Sequence, residues 1–380
     1  MTAPLIIIGT GLAGYNLAKE FRKLDADRQI ILVSQDDGRQ YSKPLLSTGF
    51  SKGKDANGLA MNDAGAMADA LNAQIRTHQT VTQINAEDRT VTLGEEVITY
   101  GDLVLAVGAE PIQLPIDGSE FAHHVNDLED YDRFYTQVQG RRSVTVIGAG
   151  LVGTEYAHDL ASAGFQVNLI APEAQPLARL IPDVCGQALI PALQNLGVTL
   201  HLERGAKQIL KNGEGYSVLL DDGSVVDSDI VLSAVGLAPR KAIAAAAGLK
   251  VGRAIEVDRL LKTSADHVYA LGDCAAVEGL NLLYVLPLMA SARALAKTLA
   301  GQPTPVSYGV MPVQVKTPSL PIVTCPPAAD AAGQWVVTGV APDLVARFED
   351  SDGNLIGYAL TGAGVAEKMA LNKELPAMLA

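Results

Sequence analysis

The stretch Leu5-Ile6-Ile7-Ile8-Gly9-Thr10-Gly11-Leu12-Ala13-Gly14 decides the fold. Four apolar residues in a row read as a strand buried on both faces. The glycines then follow the G-x-G-x-x-G spacing, and Tyr15 to Leu24 reads as a helix. In that context the first glycine allows a tight turn and the second lets backbone approach a pyrophosphate. The third lets helix pack on strand, and the helix N-terminus faces the phosphates. The pattern returns 139 positions later as Val144-Thr145-Val146-Ile147-Gly148-Ala149-Gly150-Leu151-Val152-Gly153. One such motif is weak. Two of them predict two dinucleotides in one polypeptide, the arrangement needed when one delivers electrons to the other.

Working outward, the repeat extends to whole-domain length. In residues 1–110 the strand Ile30–Val33 follows the first helix, and Gln35 to Ser51 reads as a loop at the strand ends, where open α/β sheets bind ligands. Val81–Ile84 and Thr90–Leu93 alternate like antiparallel strands, and Asp102–Gly108 closes the block. Residues 111–240 follow the same plan, with Val167–Ile170 as second strand, a hairpin around Asp221-Asp222-Gly223, and the closing strand Asp229–Gly236. Residues 241–308 read as a return to the first unit, with a helix carrying Ala292, Leu295, Ala296 and Leu299 on one face. Residues 309–380 form a small last block with strands Trp335–Val340 and Leu355–Leu360 and a final helix Ala363–Glu374. The expected class is α/β: two Rossmann-like domains with inserted antiparallel strands, plus a small α+β C-terminal domain.

Composition narrows the function. At 380 residues the chain has room for two or three domains, and 48% hydrophobic against 19% charged residues is an ordinary globular balance. A net charge of −13 argues against nucleic acid and against an anionic membrane surface as partners. No apolar run reaches the length of about 18 residues that a membrane helix needs. The N-terminus runs straight into the first strand without a basic region, so it reads as mature, cytoplasmic protein. Cys185, Cys274 and Cys325 are far apart and show no metal-like spacing, so reduced thiols and no metal site are expected.

Together these motifs resemble the two-dinucleotide flavoprotein disulfide reductase superfamily over essentially the whole chain. Thr263-Ser264-Ala265-Asp266-His267-Val268-Tyr269-Ala270-Leu271-Gly272-Asp273 is similar to its second FAD motif. The branch is marked by what is missing. Disulfide-using members carry cysteine in the loop after the second strand, and here that loop is Tyr41-Ser42-Lys43-Pro44-Leu45-Leu46-Ser47. The loop, the stretch Gly279 to Ala290 and Pro312 to Pro318 resemble the rubredoxin–NAD reductases most closely. Ferredoxin reductases of the oxygenase type tend to be longer, so the short last block also favours the rubredoxin branch.

The resemblance implies an FAD domain in residues 1–110 and 241–308, an NAD domain in 111–240, and an interface or acceptor-docking domain in 309–380. It implies hydride transfer from NADH to FAD, then single electrons to rubredoxin, commonly to supply alkane hydroxylation. A ferredoxin reductase serving an oxygenase and an FAD-bound redox sensor or scaffold are the alternatives. Gly9, Thr10, Gly11, Leu12, Ala13 and Gly14 are expected at the FAD pyrophosphate. Ser34 stands in the slot for the ribose group and Asp36 follows, and either could serve. Lys43 and Lys316 are implied as cations beside the flavin, Asp273 as partner of the ribitol chain, and Pro44, Val81 and Val285 as FAD contacts. Gly148, Gly150, Leu151, Val152 and Gly153 are expected at NAD, with Glu155 on the nicotinamide side. Glu173, 20 residues after Gly153, is the candidate ribose acid, and no basic residue follows until Arg179, which favours NADH. Arg39, Lys43, Lys52 and Lys54 form a local basic group that could steer an acidic electron-transfer protein. A monomer is slightly favoured.

Overall fold

An all-apolar strand is stable only where both faces are covered. In the computed structural model, which describes residues 3–380, Leu5–Ile8 is buried at the centre of a five-stranded parallel sheet. The strand order is Val268–Ala270, Asp102–Leu105, Leu5–Ile8, Ile30–Val33, Gln74–Arg76. Leu5 pairs in register with Ile30 on one side and Asp102 on the other. A four-stranded parallel sheet repeats the plan in the order Val198–His201, Gln166–Ile170, Ser143–Ile147, Ile230–Ser233. In both sheets the glycine-bearing strand has its successor on one side and the closing strand on the other. The order therefore reverses at its C-terminal end, the place where such sheets bind ligands.

Each sheet carries a three-stranded antiparallel insertion before its closing strand. The first is Val81–Asn85, Thr90–Leu93 and Glu96–Thr99; the second is Ala206–Asn212, Gly215–Leu220 and Val225–Ser228. After the closing strands, Ala109–Pro111 pairs antiparallel with Leu237–Pro239, so the two connections cross as a ribbon. Beyond it Val268–Ala270 adds to the first sheet next to Asp102–Leu105. Helix Val285–Leu299 packs along helix Leu12–Arg22, burying Ala292, Leu295 and Ala296 in that sheet's core.

The last block is a five-stranded antiparallel sheet in the order Val313–Val315, Ile322–Cys325, Leu355–Thr361, Asp343–Glu349, Gln334–Val340. The expected final helix divides into a 3-10 segment, Gly362–Glu367, and an α-helix, Lys368–Glu374. Gly364 approaches the Leu344 carbonyl so closely that a Cβ there would stand 2.3 Å from the oxygen, which ties the 3-10 segment onto the sheet. Among the described residues no helix is long and apolar enough to cross a membrane, and no three His, Cys, Asp or Glu side chains cluster as metal ligands. All three cysteines are free and buried.

Candidate functional site

The two fingerprints are built alike. Gly9 has φ +115°, and a Cβ on it would lie 2.3 Å from the Ala106 carbonyl oxygen. Gly148 has φ +105°, with the Ala234 carbonyl 2.7 Å from such a Cβ. Gly14 and Gly153 are pressed against the carbonyls of Gly9 and Gly148, at 1.9 Å and 1.8 Å from a Cβ. The middle glycines differ. Gly11 and Gly150 meet nothing within 4 Å, and each stands at the N-cap of its helix with no side chain capping it. Leu12 and Leu151 start the helices, with Ala13 buried and Val152 exposed. Outer glycines fix the turn, and middle ones leave helix N–H groups open to an anion.

At the end of the strand Ile30–Val33, Ser34 is buried and its hydroxyl donates to Asp36 Oδ1, while Thr10 Oγ1 donates to Ser34 Oγ at 2.6 Å. Asp36 Oδ1 also accepts the Gly38 N–H at 3.0 Å. The two ribose candidates thus form one hydrogen-bonded cluster with Thr10.

Lys43 and Pro44 open the 3-10 segment Lys43–Thr48. The Lys43 ammonium donates to Asn126 Oδ1 at 2.8 Å and lies 3.8 Å from Asp273 Oδ2. Burial pushes the Lys43 pKa down, opposed first by the negative charge of Asp273. Burial likewise raises Asp273, and Lys43 pulls it back. Asp273 sits in a short 3-10 turn, and Asn281 holds the chain around it by donating to the carbonyls of Asp273 at 3.0 Å and Ala275 at 2.8 Å. Val81 is buried at the start of its strand, whereas Val285 is exposed at the start of helix Val285–Leu299.

Helix Leu151–Ser162 carries four buried polar residues: Thr154 donates to the Ala149 carbonyl just before the helix, and the other three each fasten another segment. Glu155 is 1% exposed; its carboxylate accepts from Ser47 Oγ at 2.7 Å, from the Lys316 N–H at 3.0 Å and from the Lys316 ammonium. Asp159 accepts the N–H groups of Phe50 at 2.9 Å and Ser51 at 3.0 Å. His158 Nε2 accepts the Ser319 N–H at 3.2 Å. One helix of the second unit thus holds both the loop that bears Lys43 and the C-terminal sheet. Lys43 and Lys316, expected as a pair about one ring, have separate partners.

At the edge of the second sheet, Glu173 lies in the loop after Gln166–Ile170, and its carboxylate is 3.9 Å from Arg179. Arg204 reaches the same loop, its N–H donating to the Ala171 carbonyl, but its guanidinium is bound by Asp222 at 2.6 Å. Of the basic group in the first unit, Lys52 and Lys54 are exposed, while Arg39 is tied to Asp37 at 2.6 Å. Asn126, Ser47, Asp159 and Asn281 were not among the expected site residues. They are polar residues in loops or on a helix, and only their tertiary partners distinguish them.

Two family descriptions match this chain: pyridine nucleotide-disulphide oxidoreductase over residues 3–297, and rubredoxin binding C-terminal domain over residues 305–375. The chain belongs to the pyridine nucleotide-disulphide oxidoreductase family. It is 50% identical to a rubredoxin-NAD(+) reductase of Alcanivorax borkumensis, over 99% of both chains. A nitric oxide reductase FlRd-NAD(+) reductase of Vibrio vulnificus is 37% identical, over 99% of this chain and 98% of that one. Among solved structures, a ferredoxin reductase from Rhodopseudomonas palustris superposes with a TM-score of 0.88 at 25% identity, over 99% of this chain and 96% of that one.

With the family come FAD as cofactor and NADH as electron donor, and the residues fit both. Two uncapped helix N-termini, each behind a glycine with open space, stand at the two switch points. Near Asp273, Asn281 Oδ1 is buried without a partner among the described residues, an acceptor suited to a polar cofactor atom.

Proposed function

We propose that this protein is a cytoplasmic NADH:rubredoxin reductase, in which residues 1–110 and 241–308 hold FAD, 111–240 hold NADH, and 309–380 receive the acceptor. FAD held there would supply the conversion between two-electron hydride uptake from NADH and one-electron delivery to the acceptor. The carrying observation is the loop itself: the segment that bears cysteine in a disulfide reductase has none here, its Ser47 is hydrogen-bonded to Glu155, and the three thiols lie buried elsewhere. Electrons therefore leave without a protein dithiol, and the match of residues 305–375 to a rubredoxin-binding domain supports a small iron protein as recipient.

The residues divide the work. Gly11 and Gly150 admit the two pyrophosphates, with Gly9, Gly14, Gly148 and Gly153 shaping the turns. Thr10, Ser34 and Asp36 together face the FAD ribose, and Asp273 takes the ribitol hydroxyls. Lys43 places a cation where negative charge develops on reduction. Glu155, bound by Lys316, lies on the nicotinamide side, and Lys316 is the second cation beside the flavin. Glu173 takes the NADH ribose, and Arg204, which reaches that loop, is already held by Asp222, which supports NADH over its 2′-phosphate. Reduced rubredoxin from such an enzyme would serve alkane hydroxylation.

The test is NADH-driven cytochrome c reduction with added rubredoxin or added [2Fe–2S] ferredoxin. Rubredoxin should stimulate it strongly and ferredoxin weakly. The reverse order would establish the ferredoxin reductase instead. Bound flavin that NADH fails to bleach would leave the sensor or scaffold.

A further inference from the structure

Asn126 lies in the connection that follows the crossing ribbon, just before helix Leu128–Gln137, and is 6% exposed. Both ends of its side-chain amide and its backbone N–H are used. Its Oδ1 accepts from the Lys43 ammonium at 2.8 Å, and its Nδ2 donates to the Ala109 carbonyl at 2.9 Å. Its backbone N–H donates to Asp130 Oδ2 at 3.0 Å. These contacts fix the amide one way round. Turned over, it would set its oxygen against the Ala109 carbonyl and its NH2 against the ammonium.

The nature of the partner matters as much as its place. The carboxylate of Asp273 is 3.8 Å from the ammonium, beyond hydrogen-bond distance, so the close contact is to a neutral acceptor. A carboxylate at the Asn126 position would cancel much of the lysine's charge. An amide oxygen orients the ammonium and adds no further countercharge to that of Asp273. Ala109 belongs to the ribbon between the two nucleotide units, so the amide also ties Lys43 to the backbone that links them.

We propose that Asn126 is a positioning residue for Lys43, holding its ammonium in one place, for the negative charge of the reduced flavin, without adding a second countercharge to that of Asp273. This rests on the reading that FAD occupies the first unit beside Lys43. Asn126 touches no reacting atom and acts only through the lysine.

The experiment is a double-mutant cycle read as the midpoint potential of the bound FAD, measured by dye-linked reductive titration of the holoenzyme. Asn126→Ala should lower the potential, with the same sign as Lys43→Met and a smaller shift. In the Lys43→Met background Asn126→Ala should add nothing. A purely structural asparagine would shift both backgrounds equally, and that result, or an unshifted potential in Asn126→Ala, overturns the proposal. Asn126→Ser, which keeps a polar group in the buried site but is too short to reach Lys43, runs the same cycle with the same expectations. A wild-type protein without FAD would sink the functional reading. A wild-type protein with reducible FAD and an uncoupled cycle would sink this inference alone.

Discussion

Lys316 is bound to Glu155 twice, by its backbone N–H at 3.0 Å and by its ammonium, although the two residues are 161 positions apart. The two hydrogen bonds fasten the C-terminal sheet to the helix that follows the second glycine motif. Ser47 of the Lys43 loop completes the contact from the third side. Glu155 is buried and only a quarter of the Lys316 side chain is exposed, so removing one charge strands the other.

Lys316→Met should therefore destabilise the protein. Breaking a fully buried pair costs about 3–5 kcal/mol. Here Ser47 and the Lys316 N–H still satisfy the carboxylate and solvent reaches the pair, so the expected loss is about 1–3 kcal/mol. A urea titration followed by circular dichroism measures it, and an unchanged midpoint would show the pair to be energetically idle.

The glycines separate fold from ligand. Gly14→Ala and Gly153→Ala drive a methyl group into a carbonyl below 2 Å and should each cost stability, about 1–3 kcal/mol or more. Gly11→Ala and Gly150→Ala meet open space. They should leave the apoprotein's melting temperature nearly unchanged while weakening FAD and NADH binding respectively. Thermal denaturation of FAD-free protein, set beside FAD retention on dialysis and an NADH titration, checks the contrast. Equal melting losses at all four positions would refute it.

Stability should fall on mild acidification. Burial holds the His158 pKa below its ordinary 6.5, and His123, His124 and His201 are lowered the same way. As pH drops through about 6.5 the unfolded chain binds protons first, so stability present at neutral pH is lost until the folded histidines also titrate. Protonating His158 at Nε2 also removes the acceptor for the Ser319 N–H. His158→Gln should shrink the stability difference between pH 7.5 and pH 5.5, by at most about 1.4 kcal/mol per pH unit. Parallel pH profiles for variant and wild type would remove His158 from the account.

The thiols should be silent. Burial raises the Cys185 and Cys274 pKa to about 11 and raises Cys325 as well. The native protein should react slowly with a thiol reagent and fully once unfolded in urea. Replacing all three by alanine or serine should leave NADH reduction of the flavin intact. A lost reduction step with FAD still bound would place a thiol in the electron path.

The fold was legible wherever burial leaves a pattern. Leu5–Ile8 and Val144–Ile147 read as strands because covering both faces demands an unbroken apolar run. The alternation of Leu344, Ala346 and Phe348, all buried in strand Asp343–Glu349, is a period-two signal as clear as those of the inserted sheets. The short strands Val313–Val315 and Ile322–Cys325 lie among prolines that mask them. The site was legible through spacing in the glycine motifs and through the missing cysteine near Ser47. Its polar contacts were not. Asn126 is 83 positions from Lys43, and a hydrogen bond between distant side chains leaves no periodic trace. Glu155 was visible as an acid two residues past Gly153, but its burial against Lys316 and Ser47 exists only once three segments meet.

The most direct test of the central claim is anaerobic stopped-flow mixing of the FAD-loaded protein with NADH, followed by oxidised rubredoxin in a second mix. The account predicts bleaching of the flavin absorbance by NADH, then its recovery as two equivalents of rubredoxin are reduced per flavin. Flavin that bleaches but is not reoxidised by rubredoxin would contradict it.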